Sequence, residues 1–293
     1  MTRTIGVNTW VWTSPLTDDR FEPLVRKIAA MGFDAVELPL ENVGDWDPHR
    51  AREVLDDAGL LPVVIGAMGP GRSLVARAGD VAATQEYLRG CIRAATIVGA
   101  TRVAGPFYAP TGVTWRMDTD ERTALERELR ENLRPLIDEV AALGIRLAVE
   151  PLNRYETSLI NTVDQALGAL GPLLGEGLGL ALDTYHLNIE EKRPSDAVRT
   201  AGAAIAHVQV CGSDRGAVGA DHTDWPGLLR ALDDAGYDGV LGLESFTGDN
   251  ATIAVAASVW RPLAPSQDAL AADSLAFLRA HDDTHHSAKE HHG

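Results

Sequence analysis

Along most of the chain, short β-rich runs alternate with longer segments of helical period, and each pair takes roughly 30 to 40 residues, the size of a βα unit. Eight such units can be read. Their strand candidates are TIGVNTWVW, DAVELPL, LPVVIGAM, TRVAGPFY, RLAVEPL, LGLALDTYHL, AHVQVCGS and GVLGLESF. Between them lie amphipathic segments such as RFEPLVRKIAAMG, RELRENLRPLIDEVAALG and WPGLLRALDDAG, several closing on the Gly that favours a left-handed C-cap. Strands that are apolar on both faces need helices on both sides of a parallel sheet. The expected fold is therefore α/β, a single (β/α)8 TIM barrel. An open doubly wound sheet usually has fewer strands and a glycine-rich phosphate turn after the first, whereas the first turn here is TWVWTSP. The barrel is expected over residues 1–280. The remainder, 281–293, holds His281, His285, His286, His291 and His292 without a periodic apolar face and reads as a disordered tail, able to pick up stray metal but not catalytic.

Charge narrows the function classes. With 26 Lys and Arg against 42 Asp and Glu, a net charge of -16, the surface repels a phosphate backbone, so no nucleic acid partner is expected. The stretch MTRTIGVNTW lacks the parts of a signal peptide, and no apolar run approaches the ~20 residues of a membrane span. A cytoplasmic protein with no membrane partner is expected. Cys91 and Cys211 are the only cysteines, too few for a disulfide framework.

Barrel enzymes place their chemistry at the C-terminal ends of the strands. Polar residues assigned to those ends are Glu37, Glu150, Asp183 with His186, Gln209 and Glu244. Carboxylates crowded round one barrel mouth repel unless a cation or a bound proton compensates. Glu150, Asp183 and Glu244 offer hard oxygen donors, and Gln209 completes a four-ligand set. Such a set suits one divalent ion, Mn2+ first, with Mg2+ or Co2+ as alternatives, better than Zn2+. The ion would polarise a carbonyl and a neighbouring hydroxyl, and a glutamate on each side would remove and return a proton.

The segments VEPLNRYET (Val149 to Thr157), ALDTYHLNIEE (Ala181 to Glu191), VQVCGSDRG and GLESF (Gly242 to Phe246) resemble the metal-dependent ketose 3-epimerases of the xylose-isomerase-like barrel superfamily, with weaker echoes in GFDAVELPL and GPFY. The resemblance implies a keto-sugar epimerase with metal ligands Glu150, Asp183, Gln209 and Glu244 and an acid/base pair Glu150 and Glu244. It also implies sugar contacts from Glu156, His186 and Arg215. The departure is Gln209, six residues before Arg215, where the family carries histidine. His207 shares its face but lies deeper by roughly 6–7 Å, and is expected to be packed or hydrogen-bonded. C-glycoside deglycosidase catalytic subunits, which cleave 3-keto-glycosides by elimination and work with a small second subunit, look related as well. Epimerases of this type work as homo-oligomers. A non-catalytic sugar-binding barrel is the alternative of another class.

Aromatic residues at the strand ends suit the walls of a sugar pocket. Of Trp10, Trp12, Phe107, Tyr108, Trp115 and Trp260, the sequence reading assigns substrate contact to Trp12 and Phe107 and packing to Trp260.

Overall fold

The computed structural model describes residues 3–290, with side chains described to 281. Eight parallel strands, β1 (Ile5–Asn8), β2 (Ala35–Leu40), β3 (Leu61–Gly66), β4 (Arg102–Gly105), β5 (Arg146–Val149), β6 (Leu178–Asp183), β7 (Ile205–Val210) and β8 (Leu241–Leu243), pair in chain order. β8 pairs with β1, so the barrel is closed. Seven of the eight expected strand segments contain one of them whole, and β7 begins one residue earlier than expected, at Ile205.

The helices around the barrel are α1 (Asp18–Met31), α2 (Pro48–Ala58), α3 (Val81–Val98), α4 (Thr119–Ala141), α5 (Val163–Leu170), α6 (Thr184–Glu190), α7 (Pro194–Ala201), α8 (Trp225–Asp234), α9 (Ala251–Ala256) and α10 (Gln267–Glu290). Local chemistry sets their limits. Asp47, Asp80, Asp118 and Asp224 accept backbone N–H bonds at the starts of α2, α3, α4 and α8, and Gly32, Gly59 and Gly99 end α1, α2 and α3 with left-handed backbone. α10 continues to Glu290, into the stretch for which the sequence suggests a tail from 281; the side chains of that stretch after His281 lie outside the described residues. Among the described residues, no helix is long and apolar enough to cross a membrane.

Two apolar layers hold the barrel. The larger lies between strands and helices and includes Val7, Val36, Val64, Val103, Leu147 and Leu182. A smaller cluster combines the alternate, inward-pointing residues Val63, Ile65, Ala104, Ala148, Ala181 and Ala206 with Trp10 and Phe246. Alternation also decides which polar groups enter the lumen. Asp183 is in register with Gln209, and Gln209 with Gly242. Glu37 is in register with Asn8 on β1. It is the third of six residues in β2, so it lies inside the barrel rather than at a strand end, and the sequence placement is corrected here.

Candidate active site

Glu37 forms the floor. Fully buried, its Oε2 accepts from Asn8 Nδ2 and from Gln209 Nε2, both at 2.9 Å, while its Oε1 meets His207 Nε2 at 2.7 Å. The expected deeper, hydrogen-bonded His207 is therefore found. Gln209 Nε2 also donates to Glu244 Oε1 at 2.8 Å. Only an NH2 group can serve two carboxylates, which fixes the orientation of the amide and leaves its oxygen as the atom able to accept or coordinate.

Above this floor, Glu150, Asp183, His186, Arg215 and Glu244 come together, each at most 6% exposed. Arg215 Nη1 donates to Asp183 Oδ2 and, at 2.9 Å, to Glu244 Oε2. Its guanidinium stacks 4.1 Å from the Tyr185 ring centre and 5.2 Å from that of Phe246. The Arg215 backbone is left-handed, φ 67°, and its carbonyl and N–H are tied to Ser245 Oγ and Gly212 O, so the loop holds a conformation that non-glycine residues seldom adopt.

Burial, then the neighbouring Glu244 and Asp183, push the Glu150 carboxyl well above the usual carboxylate range, against the pull of Arg215. Glu244 is likewise pushed well up, chiefly by burial and less by Asp183, again with Arg215 opposing. At Asp183 burial works in the same direction, but Arg215, His186 and the Tyr185 N–H outweigh it and hold the carboxyl below its ordinary value. One cation thus divides three like groups, holding one carboxyl below the ordinary range while burial keeps the other two above it.

His186 has a fixed tautomer. The Asn153 backbone N–H donates to Nδ1 at 3.0 Å, so the proton of the neutral ring sits on Nε2, 3.4 Å from Glu150 Oε1 and 3.6 Å from Asp183 Oδ2. Burial favours that neutral ring. The 3.2 Å approach of Arg215 Nη2 to Nε2 is then a packing contact between two donors. Asn153 Nδ2 also donates to Glu156 Oε1 at 2.8 Å, and the loop that carries both is clamped by Arg154, whose N, Nε and Nη2 all bond Glu190. This clamp ties the LNRYE segment to the NIEE segment.

The aromatic assignments change. Trp12 donates its indole N–H to Asp268 of α10 at 2.7 Å and lies 5.0 Å under Lys27. It packs between α1 and α10. Phe107 is fully buried and presses on β3 and β4, its Cε1 lying 2.8 Å from where a Cβ would stand on Gly66 or Gly105. Phe107 offers no free face to a substrate, whereas Trp12 is half-buried and lines a surface cleft with Arg20, Pro23 and Lys27. Trp10 and Phe246 pair with ring centres 5.6 Å apart, with Ile253, Ala257 and Val259 packed against their cluster and the Phe246 ring 5.2 Å from the Arg215 guanidinium. Trp10 was among the aromatic candidates in the sequence; Phe246 was not, although it follows Glu244 by two residues. Trp260 is 71% exposed, not packed as expected.

Donor chemistry here suits a hard divalent ion. Donor atoms of Glu150, Asp183 and His186 lie within 4.8 Å of one another. The His186 ring is the poorest of them, because its Nε2 lone pair is used by the proton that Asn153 enforces. The Gln209 oxygen is a hard, neutral donor of the kind such an ion takes.

The model of the xylose isomerase-like TIM barrel family matches residues 25–281. The chain is 30% identical over 275 residues to a probable ketose 3-epimerase of Synechocystis, covering 94% of this chain and 95% of that one. It is also 30% identical over 280 residues to a ketose 3-epimerase of Arthrobacter globiformis, covering 94% and 95%. A solved L-ribulose 3-epimerase superposes with a TM-score of 0.90 at 27% identity, covering 99% of this chain and 97% of its own. Strand order, closure and these matches together place the chain in the xylose isomerase-like TIM barrel family.

Proposed function

We propose that this protein is a divalent-metal-dependent keto-sugar epimerase of the 3-epimerase type, with Glu150 and Glu244 as its acid/base pair. The observation that carries the reading is the pair of buried carboxyls following β5 and β8, Glu150 with its Oε1 3.4 Å from His186 Nε2 and Glu244 with its Oε2 2.9 Å from Arg215 Nη1. The ketose 3-epimerases among its relatives support it.

One glutamate takes the proton from the carbon next to the substrate carbonyl, leaving an enediolate across the two carbons. The other returns a proton to the opposite face and inverts that carbon. His186, with its proton on Nε2, donates to a substrate oxygen. Arg215 steadies oxygens that gain charge, and Glu156 accepts from a sugar hydroxyl. Glu150, Asp183, Gln209 and Glu244 would hold the metal, Mn2+ in the first instance; when bound, it supplies polarisation of the carbonyl and its neighbouring hydroxyl. Arg215 already serves two carboxylates, which suits a neutral sugar better than a sugar phosphate.

Incubation of the Mn2+-loaded protein with ketoses and 3-keto-glycosides in deuterated water, followed by NMR after metal removal, tests the reading. Deuterium at C3 in both epimers of a ketose is expected. Release of an aglycone from a 3-keto-glycoside without exchange into any ketose would replace epimerisation by elimination. Binding of a sugar without exchange would leave only a sugar-binding barrel.

A further inference from the structure

The chemistry above gives Glu37 no part, yet the lumen is built around it. We infer that Glu37 is a positioning residue: it grips the Gln209 amide by its nitrogen, so that the oxygen and not the NH2 group is presented to the cation. This rests on the reading of Gln209 as a metal ligand.

An amide has two ends of nearly equal size, and one of them repels a cation. Its terminal torsion is soft, so something must choose the end. Gln209 Nε2 has two acceptors, Glu37 and Glu244. Glu244 is itself a proposed ligand and proton carrier, so its bond to the amide changes during turnover. Glu37 does not share that duty. It is held from two further sides, by Asn8 Nδ2 at 2.9 Å and by His207 Nε2 at 2.7 Å.

The surroundings concede a good deal to keep it there. The Nδ1 of His207, equally buried, has no hydrogen-bond partner, while its Nε2 faces Glu37 at 2.7 Å. Across the lumen, a Cβ on Gly242 would stand 1.6 Å from Glu37 Oε1, so β8 omits a side chain where the carboxylate passes. A metal-binding imidazole commonly has its second nitrogen fixed by a carboxylate. Glu37 gives the same support to an amide.

The test compares Mn2+ affinity, by calorimetry, in the wild type, Glu37→Gln, Glu37→Asp, Gln209→Ala and the Glu37→Gln/Gln209→Ala double variant, with circular dichroism to check folding. Both Glu37 variants should bind Mn2+ at least ~10-fold more weakly, the Asp variant because its carboxylate keeps the charge but no longer reaches. Glu37→Gln should add no loss once Gln209 is Ala. The same loss in both backgrounds, or none in either Glu37 variant, overturns the inference. A second readout is independent of that cycle. The chain has four glutamines, Gln85, Gln165, Gln209 and Gln267, so carbonyl-13C labelling of Gln side chains resolves Gln209. Its signal should shift on Mg2+ addition in the wild type and stay still in Glu37→Asp; an equal shift in both overturns the inference. No saturable Mn2+ binding by the wild type would overturn the ligand reading itself, which separates the two failures.

Discussion

A carboxyl enclosed among other carboxyls and cut off from water takes up a proton that a surface carboxyl would refuse. Glu150 and Glu244 are in that position, and proton transfer is the chemistry they suit. Replacing either by Gln keeps size and hydrogen bonding but removes the exchangeable proton. Each variant is expected to lose about 10²–10⁴-fold in turnover with an unchanged circular dichroism spectrum; solvent deuterium exchange at near wild-type rate in both would refute the assignment. Their place was legible in the sequence, because a polar residue ending an apolar parallel strand can only face the barrel mouth. The environment of Glu37 was not. It depends on β2, β7, β1 and β8 sending Glu37, Gln209, His207 and Asn8 into one lumen past Gly242, a meeting across the barrel that no local pattern encodes. Phe107 was misplaced for a related reason: whether an aromatic residue after a strand turns inward or outward is decided by the turn, and here the turns tie Trp12 to α10 and send Phe107 onto Gly66 and Gly105.

Among the elements, the β7–α8 loop does most to shape the site, since it carries Arg215 and must hold it in left-handed backbone. Asp221 is its latch. Its carboxylate accepts from Ser213 N at 2.8 Å, Trp225 Nε1 at 2.8 Å and Thr223 Oγ1. Partial burial works against its charge, but the Thr223 hydroxyl, the Trp225 indole and the Ser213 N–H outweigh it and hold the carboxyl below its ordinary value of 3.8. A folded value below the unfolded one means that the ionised latch stabilises the fold fully above the unfolded value, and that this contribution fades as pH falls through the folded one. Asp221→Asn is therefore expected to lower Tm by roughly 2–4 °C at pH 7 and to raise KM through a looser Arg215. The Tm gap to the wild type should close on acidification below pH 3.8; a gap that stays constant across that range would show that the charge is not what latches the loop. The repeat of strand and helix was readable from periodicity alone, whereas this latch joins residues whose order in the sequence says nothing of their hydrogen bonds.

For the molecule as a whole, closure of the barrel seals both thiols. Burial pushes Cys91 up to about 12, against the pull of the Tyr87 hydroxyl and Arg72, and carries Cys211 well above its ordinary range, with Asp183 adding to it. Iodoacetamide at pH 8 should leave the folded protein unmodified and add two groups in concentrated urea, as read by intact mass; labelling of Cys211 in the folded protein would mean that the mouth opens far enough to admit the reagent. The same closure joins chain segments made at very different times. Ile5 on β1 is in register with Leu241 on β8, and α10 fastens the turn after β1 through Gln267 to the Val11 carbonyl and Asp268 to Trp12. While the chain emerges from a ribosome, β1 therefore waits with one edge unpaired until β8 and α10 follow. A half-made chain of this kind is an open sheet with an adhesive border. Interrupted synthesis should deliver a substrate for chaperones and proteases, not a smaller enzyme.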